Sequence, residues 1–401
     1  MDRVSLLTRW GGWAALAAAL LALADLVRLT IGGFGWDTRV YCAAATAAGQ
    51  GLDPYYVENL GGLSLSFVYQ PAYLHLIQPL CGMAWPFPHA YTLASMAAVV
   101  LSVLLWPGAI RRNEAAAAAL LALGGVSGLA WTVLTGNTSA FELLALTLAV
   151  VAMRAGRWAA AAVVLGLLGS LKLVPLVLLA SVLVADAPWR QRLVWVGYGL
   201  AAFAAVAVAS TALHPDLMPS FLKQITGRIG GQHTPLDETG DLYHPSLLFA
   251  LGGLTGLRGI VVDGTVGYSP VLLALFGGLF VAVCGAAWAV VRWYERGVVN
   301  ADVRIGFALL ILILFMPRLK PYAFLLAVLP VWLLVRPLAP VGRAAVVGIA
   351  VVLPALTGLT AGFGLGPASL WWNFQQPLSL FAVLVLVLLA HTTAGERLRL
   401  R

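Results

Sequence analysis

Asp37 stands just past the first hydrophobic run, in GFGWDTRVYCAAATAAGQG, and Lys172 interrupts a second apolar stretch, LLGSLKLVPL. A carboxylate at a membrane boundary can accept the proton of an attacking hydroxyl, and partial desolvation tunes it upward for that task. The alternative for Asp37 is a plain helix N-cap, since it opens a segment that reads as a short helix ending near Gly49, with Tyr41 one turn on along the same face. Lys172 is costly where it is: an ammonium at a helix centre is disfavoured by roughly 2.5–3.5 kcal/mol unless it has a partner or a polar setting. It either snorkels to an interface or meets an anion, and a phosphate is the anion of interest. Glu142, a few residues into the helix that follows Asn137, is a second possible partner. FMPRLKPY adds Arg318 and Lys320 between two short apolar runs, where they would bind a phosphate or lipid head groups. Asp53, in Asp53-Pro54-Tyr55-Tyr56, reads as a turn residue.

These side chains belong to a membrane protein. Of 401 residues, 61% are hydrophobic and 10% charged, and the mean hydropathy is +0.92, which excludes an ordinary soluble domain. Apolar runs of roughly 15–25 residues recur, the length a helix needs to cross hydrocarbon. The net charge of +8 is a topology signal rather than a nucleic-acid footprint. Placing Arg3/Arg9, Arg111/Arg112, Arg154/Arg157, Arg190/Arg192, Arg292/Arg296/Arg304, Arg336/Arg343 and Arg397/Arg399/Arg401 in the cytoplasm accounts for 16 of 24 basic residues, as the positive-inside tendency requires. Glu114, Asp186 and Asp302 then also lie inside, and most acidic residues outside.

That constraint gives about twelve spans with both termini cytoplasmic: 10–29 (read as a retained helix), 87–110, 115–133, 138–153, a short pair within 158–185, 193–213, 269–291, 304–316, 321–335, 344–361 and 377–391. The chain is read as one integral membrane domain, 1–401. Its first outer loop, 30–86, carries the acid and an apolar dip that is either re-entrant or flat at the outer interface. The stretch 158–185 is too long for one span and too short for two, so two short helices should meet near Gly169-Ser170-Leu171-Lys172. A second outer loop, 214–268, holds Lys223, Arg228, His233, Asp237, Glu238, Asp241 and His244. The two histidines lack a metal-ligand spacing, so no metal or other cofactor is expected. Cys42 and Cys81 fall on the same outer side, which permits a disulfide without requiring it.

The order of several short motifs resembles glycosyltransferase family 87. They are the acid after the first span with a following Tyr, Gly51-Leu52-Asp53-Pro54-Tyr55-Tyr56, Tyr69-Gln70-Pro71, Gly136-Asn137, Gly169-Ser170-Leu171-Lys172-Leu173-Val174-Pro175, and His244-Pro245-Ser246-Leu247-Leu248. The resemblance spans most of 30–330. It implies an all-α GT-C-type bundle that takes a sugar, mannose being the one most associated with the family, from a polyprenyl-phosphate carrier. It further implies that Asp37 is the catalytic base and that Lys172 lies near the donor phosphate; Arg318 and Lys320 are expected at the same phosphate from their place in FMPRLKPY, and Tyr41, Tyr69, Asn137, His244 and Ser246 are expected to contact substrate. The implied partners are the carrier-linked donor, a lipid or glycan acceptor and membrane lipids, with no nucleic acid. The implied site is the extracytoplasmic face of the plasma membrane. Gly136-Asn137-Thr138 stands where Gly-Gln is more usual, and His244-Pro245-Ser246 where Asn-Gln-Ser is, so the acceptor side departs from the family pattern. A transporter or flippase of a lipid-linked sugar would use the same anion site, and a non-catalytic assembly partner would leave these charges without a common purpose.

Overall fold

The computed structural model describes residues 35–63, 67–82, 87–109, 114, 117–118, 121–122, 128–225, 246–257, 260–262, 265–267, 269–295, 301–317, 319–338, 342–343, 345–350 and 370–399. In chain order the elements are α1 (Trp36–Gly49), α2 (Tyr73–Cys81), α3 (Phe87–Leu105), α4 (Leu129–Thr135), α5 (Ser139–Arg154), α6 (Trp158–Leu171), a 3-10 segment (Val174–Val184), α7 (Trp189–Leu213), α8 (Met218–Ile225) and α9 (Leu247–Thr255). Strands β1 (Ile260–Val262) and β2 (Thr265–Gly267) follow, then α10 (Pro270–Glu295), α11 (Ala301–Leu314), a second 3-10 segment (Pro321–Ala327), α12 (Val328–Val335) and α13 (Leu370–Arg399). This is a helical polytopic membrane protein. Within α7, α10 and α13, the stretches Trp189–Leu213, Pro270–Arg292 and Gln375–Thr392 are long and apolar enough to cross a bilayer.

The structure amends the expectation in several places. The antiparallel pair β1·β2, with Val261 opposite Val266, is a small exception to an all-α chain. The span expected over 115–133 is interrupted before its end: α4 starts anew at Leu129, behind Gly128 in the left-handed region. A Cβ on Gly128 would lie 2.0 Å from the Pro321 carbonyl oxygen, so this break lets two backbones meet. The helix expected at 377–391 runs from Leu370 to Arg399 with Pro377 inside it. The expected span 10–29 lies outside the described residues.

The stretch around Lys172 resolves the length puzzle by changing its winding. Helix α6 has 14 residues, about 21 Å at an α-helical rise. The return leg has only 11 residues, but as a 3-10 helix it rises about 2.0 Å per residue and covers about 22 Å. The two legs are therefore equal in reach, and Lys172 sits extended at their junction. Helix α7 packs closely on α6 through glycines: a Cβ on Gly166 would be 2.0 Å from the Gly199 carbonyl oxygen. Such contact through small residues is how membrane helices gain packing area where lipid supplies no hydrophobic drive.

The largest core is formed by α3, α5, α6, α11, α12 and α13, with Trp106, Leu143, Leu165, Trp332 and Leu384 fully covered. A second core lies within residues 35–82, the segment expected as the first outer loop: Val40, Tyr41 and Ala44 of α1 pack with Tyr55, Phe67, Tyr69 and Leu74, and Phe221 joins them. Asp53 holds the loop's turn, accepting from the Tyr55 amide at 2.9 Å. The apolar dip is helix α2, tied to α1 by a Cys42–Cys81 disulfide.

At the C-terminal end of α5, Arg154 pairs with Asp302 at 2.7 Å, Arg336 reaches Asp302 at 3.2 Å and Glu114 at 3.5 Å, and Arg343 meets Glu114 at 3.6 Å. All five residues were assigned to one side of the membrane from charge alone. Their cluster is separated from Glu142, in the first turn of α5, by twelve residues, about 18 Å of helix.

Two measurements check this packing. Gly166→Val should lower the unfolding temperature in detergent, at a cost of about 1–3 kcal/mol for overpacking, whereas Gly197→Val, at a position with open space, should leave it near wild type. Alkylation and intact mass without reductant should show Cys284 alone reacting, and Cys42→Ser should lower the unfolding temperature by freeing α1 from α2.

Candidate active site

Helix α1 begins at Gly35, whose left-handed backbone (φ 73°) sets the entry angle. The Gly35 amide donates to the Leu134 carbonyl at 2.8 Å, and the Thr38 hydroxyl donates back to the Gly35 carbonyl at 2.6 Å. On the facing turn Gly136 is also left-handed, and a Cβ there would come within 2.5 Å of the Thr38 methyl. The first turn of α1 is thus seated on the turn between α4 and α5, which brings Asp37 to Asn137 across a hundred residues of chain. Asp37 does not cap its helix. Its Oδ2 instead accepts a bond from Asn137 Nδ2 at 2.6 Å.

Asn137 joins two opposite charges. Its Oδ1 accepts from Lys172 Nζ at 2.6 Å, and from the Ser139 hydroxyl and amide at 2.9 and 3.2 Å. Lys172 and the Ser139 amide can only donate, so the oxygen of the Asn137 amide must face them and its nitrogen must face Asp37. The carboxylate and the ammonium are held one amide apart.

Lys172 has a second and closer counter-charge. Glu142 Oε1 lies 2.7 Å from Nζ, with the two side chains 1% and 17% exposed respectively. The ammonium also lies 4.8 Å from the centre of the Tyr322 ring, in cation–π contact. Glu142 accepts in addition from the Thr138 hydroxyl at 2.5 Å. This fixes a direction along a row of hydroxyls, since each has one proton to give. Thr138 gives its proton to Glu142, so Tyr69 donates to Thr138 at 3.3 Å and Tyr41 donates to Tyr69 at 2.8 Å. Burial raises both phenols well above their ordinary range, with the Tyr69 ring beside Tyr41 and the Asp37 charge beside Tyr69 adding to it. They remain neutral donors.

Burial likewise lifts the Asp37 carboxyl above its usual range, while the Asn137 bond and the Lys172 charge pull it part of the way back. Asp37 is nonetheless partly exposed at the surface of α1. Around the pair, Tyr73 of α2 bonds Ser170 at 2.9 Å, fixing the first outer loop to the last turn of α6 beside Lys172.

Of the residues singled out by sequence, Asp37, Tyr41, Tyr69, Asn137 and Lys172 share this one network. Lys320 opens the 3-10 segment at Pro321–Ala327, and its charge acts on Asp37. Ser246 is buried, and its hydroxyl caps α9 by accepting from the Phe249 amide at 3.4 Å. Arg318 and His244 lie outside the described residues. Glu142 proves to be the direct partner of Lys172, where the sequence offered it only as an alternative. Thr138 and Tyr322 were missed. The Thr138 to Glu142 spacing of four residues was a readable signal; no local pattern announces Tyr322.

Among the described residues, no group of three or more His, Cys, Asp or Glu side chains is arranged to hold a metal ion. The chain is similar over 96% of its length, and over 78% of the other's, to the crystal structure of ArnT from Cupriavidus metallidurans bound to undecaprenyl phosphate, at 14% identity and a TM-score of 0.42. No curated protein matches it. The model for glycosyltransferase family 87 matches residues 67–317, which include Tyr69, Asn137 and Lys172, while Asp37 precedes the match. That match takes in more than half of the chain, and the chain belongs to glycosyltransferase family 87.

Proposed function

We propose that this membrane glycosyltransferase moves a hexose, with mannose as the favoured sugar, from a polyprenyl-phosphate carrier to a lipid or glycan acceptor on the extracytoplasmic side, with inversion. One observation carries the reading: the Asp37 carboxylate and the Lys172 ammonium are bonded to opposite ends of the Asn137 amide. A displacement at an anomeric carbon needs a proton acceptor where the nucleophile arrives and positive charge where an anion departs. This pair supplies both at a fixed spacing. The undecaprenyl phosphate in the ArnT structure is in keeping with such a carrier.

Asp37 takes the proton of the acceptor hydroxyl as its oxygen bonds to the anomeric carbon. The bond from that carbon to the phosphate oxygen breaks at the same time, and the phosphate leaves with the electron pair. Lys172 stabilises the negative charge that builds on it, with Lys320 nearby and Arg318 assigned the same role from its place in the sequence. Direct displacement converts a β-linked donor into an α-glycoside. Tyr41, Tyr69 and Asn137 line the acceptor side; His244 and Ser246 are assigned to it from the family resemblance.

The sidedness has two supports. The Cys42–Cys81 disulfide next to Asp37 suits an oxidising compartment. The arginine cluster at the far end of α5 suits the cytoplasm, where such residues concentrate. Both supports favour the proposed orientation in the plasma membrane, with both termini inside.

Purified protein, given a panel of polyprenyl-phosphate sugars, should yield a glycosylated acceptor by mass spectrometry, with the α configuration visible in the anomeric proton signal. Asp37→Asn should fold, retain carrier binding and lose transfer by at least about a hundredfold, the lower bound for a general base. Because the Asp37 carboxyl is raised by burial and acts when deprotonated, activity should fall as pH drops, with its midpoint above the free-aspartate value of about 3.9. Near-wild-type turnover in the Asn variant would remove Asp37 from this role.

A further inference from the structure

Lys172 is not idle before substrate arrives. An ammonium has three N–H directions: one is given to Glu142 at 2.7 Å, one to Asn137 Oδ1 at 2.6 Å, and the face of Tyr322 lies 4.8 Å away. A phosphate that binds Lys172 must compete for a cation that already has a buried carboxylate on it. Glu142 is well suited to hold its side of that contest, because it is almost fully covered and its charge is further supported by the Thr138 hydroxyl. Asn137 is a neutral ligand and stays compatible with a phosphate alongside.

We propose that Glu142 is a positioning residue that competes with the carrier phosphate for Lys172, so that the ammonium is lent to the phosphate during transfer and reclaimed by the carboxylate when the spent carrier leaves. This rests on Lys172 being the donor phosphate ligand. The need for such a device follows from the reaction itself. A site that grips a departing phosphate anion also retains it as product, and tight product binding slows turnover. An internal anion at 2.7 Å lowers the affinity of the resting site for phosphate while leaving Lys172 charged, oriented and desolvated for use.

The distinguishing consequence is the sign of the effect. Removing a residue that merely supports the fold weakens ligand binding, whereas removing a competitor strengthens it. Glu142→Gln keeps the shape and an acceptor oxygen but removes the charge. In the full-length protein in detergent, undecaprenyl phosphate should bind Glu142→Gln about tenfold more tightly than wild type, a modest share of the coupling measured for close charge pairs. With a polyprenyl-phosphate sugar as donor, KM and kcat should then fall together, the pattern of a relieved ground-state cost with slower release.

Equal or weaker binding of undecaprenyl phosphate by a Glu142→Gln protein that unfolds at the wild-type temperature would overturn the proposal and leave the phosphate-site reading intact. If neither wild type nor variant binds while both are folded, Lys172 is not the phosphate ligand, and both readings fall. Should the amide variant not yield folded protein, Glu142→Asp withdraws the carboxylate by one methylene and is read the same way: tighter binding supports the competition, equal or weaker binding ends it.

Discussion

An ammonium brought into an apolar bundle has to be compensated, and the arrangement around Lys172 follows from that requirement. A lone charge there would be strongly unfavourable, and a paired one tolerates burial only when geometry and extra hydrogen bonds are good. Glu142 supplies the counter-charge, Asn137 a neutral oxygen, and Tyr322 an aromatic face. Each comes from a different element, so satisfying one lysine brings α5, the turn before it, the junction after α6 and the segment at Pro321 into a common place. The close backbone approach of Gly128 to Pro321 and of Gly136 to Thr38 lets these elements come near enough to do so.

The same compensation links folding to chemistry. Asn137 serves the lysine with its oxygen and the aspartate with its nitrogen, so the group that relieves a buried charge also sets the distance between carboxylate and ammonium. Glu142 does something similar on the other side, organising a row of hydroxyls through Thr138 and Tyr69 to Tyr41, which returns to the helix that bears Asp37. The disulfide and the small aromatic core of the first outer loop hold that helix against the bundle.

Much of this was legible because charge is scarce. In a chain with 10% charged residues, Asp37 and Lys172 stand out, and the arginines that cluster with Asp302 and Glu114 were grouped on one side from loop charge alone. The turn at Asp53 followed from its Asp-Pro pair. What escaped was whatever depends on long-range approach. Tyr322 reaches Lys172 across 150 positions, and a tyrosine near a proline carries no local mark of such a contact. Ser246, expected as a substrate contact by resemblance, caps α9 with its hydroxyl, a local role that its place before an apolar run could have announced. The break at Gly128 was hidden because LALGGVSGLAW carries no charge and its glycines give no hydropathy signal.

The unequal hairpin that carries Lys172 acts as a depth gauge. One leg takes fourteen residues and the other eleven to travel the same distance, so the level at which the charge sits is set by how tightly each leg is wound, not by how many residues it contains. Were the return leg to relax to an ordinary α-helix, it would shorten by about 5 Å. The ammonium would then be drawn away from Asn137 and Glu142, which now hold it. Val174–Val184 therefore works as a ruler: an apolar segment with no reactive group, whose pitch sets how far the Lys172 ammonium stands from the Asp37 carboxylate.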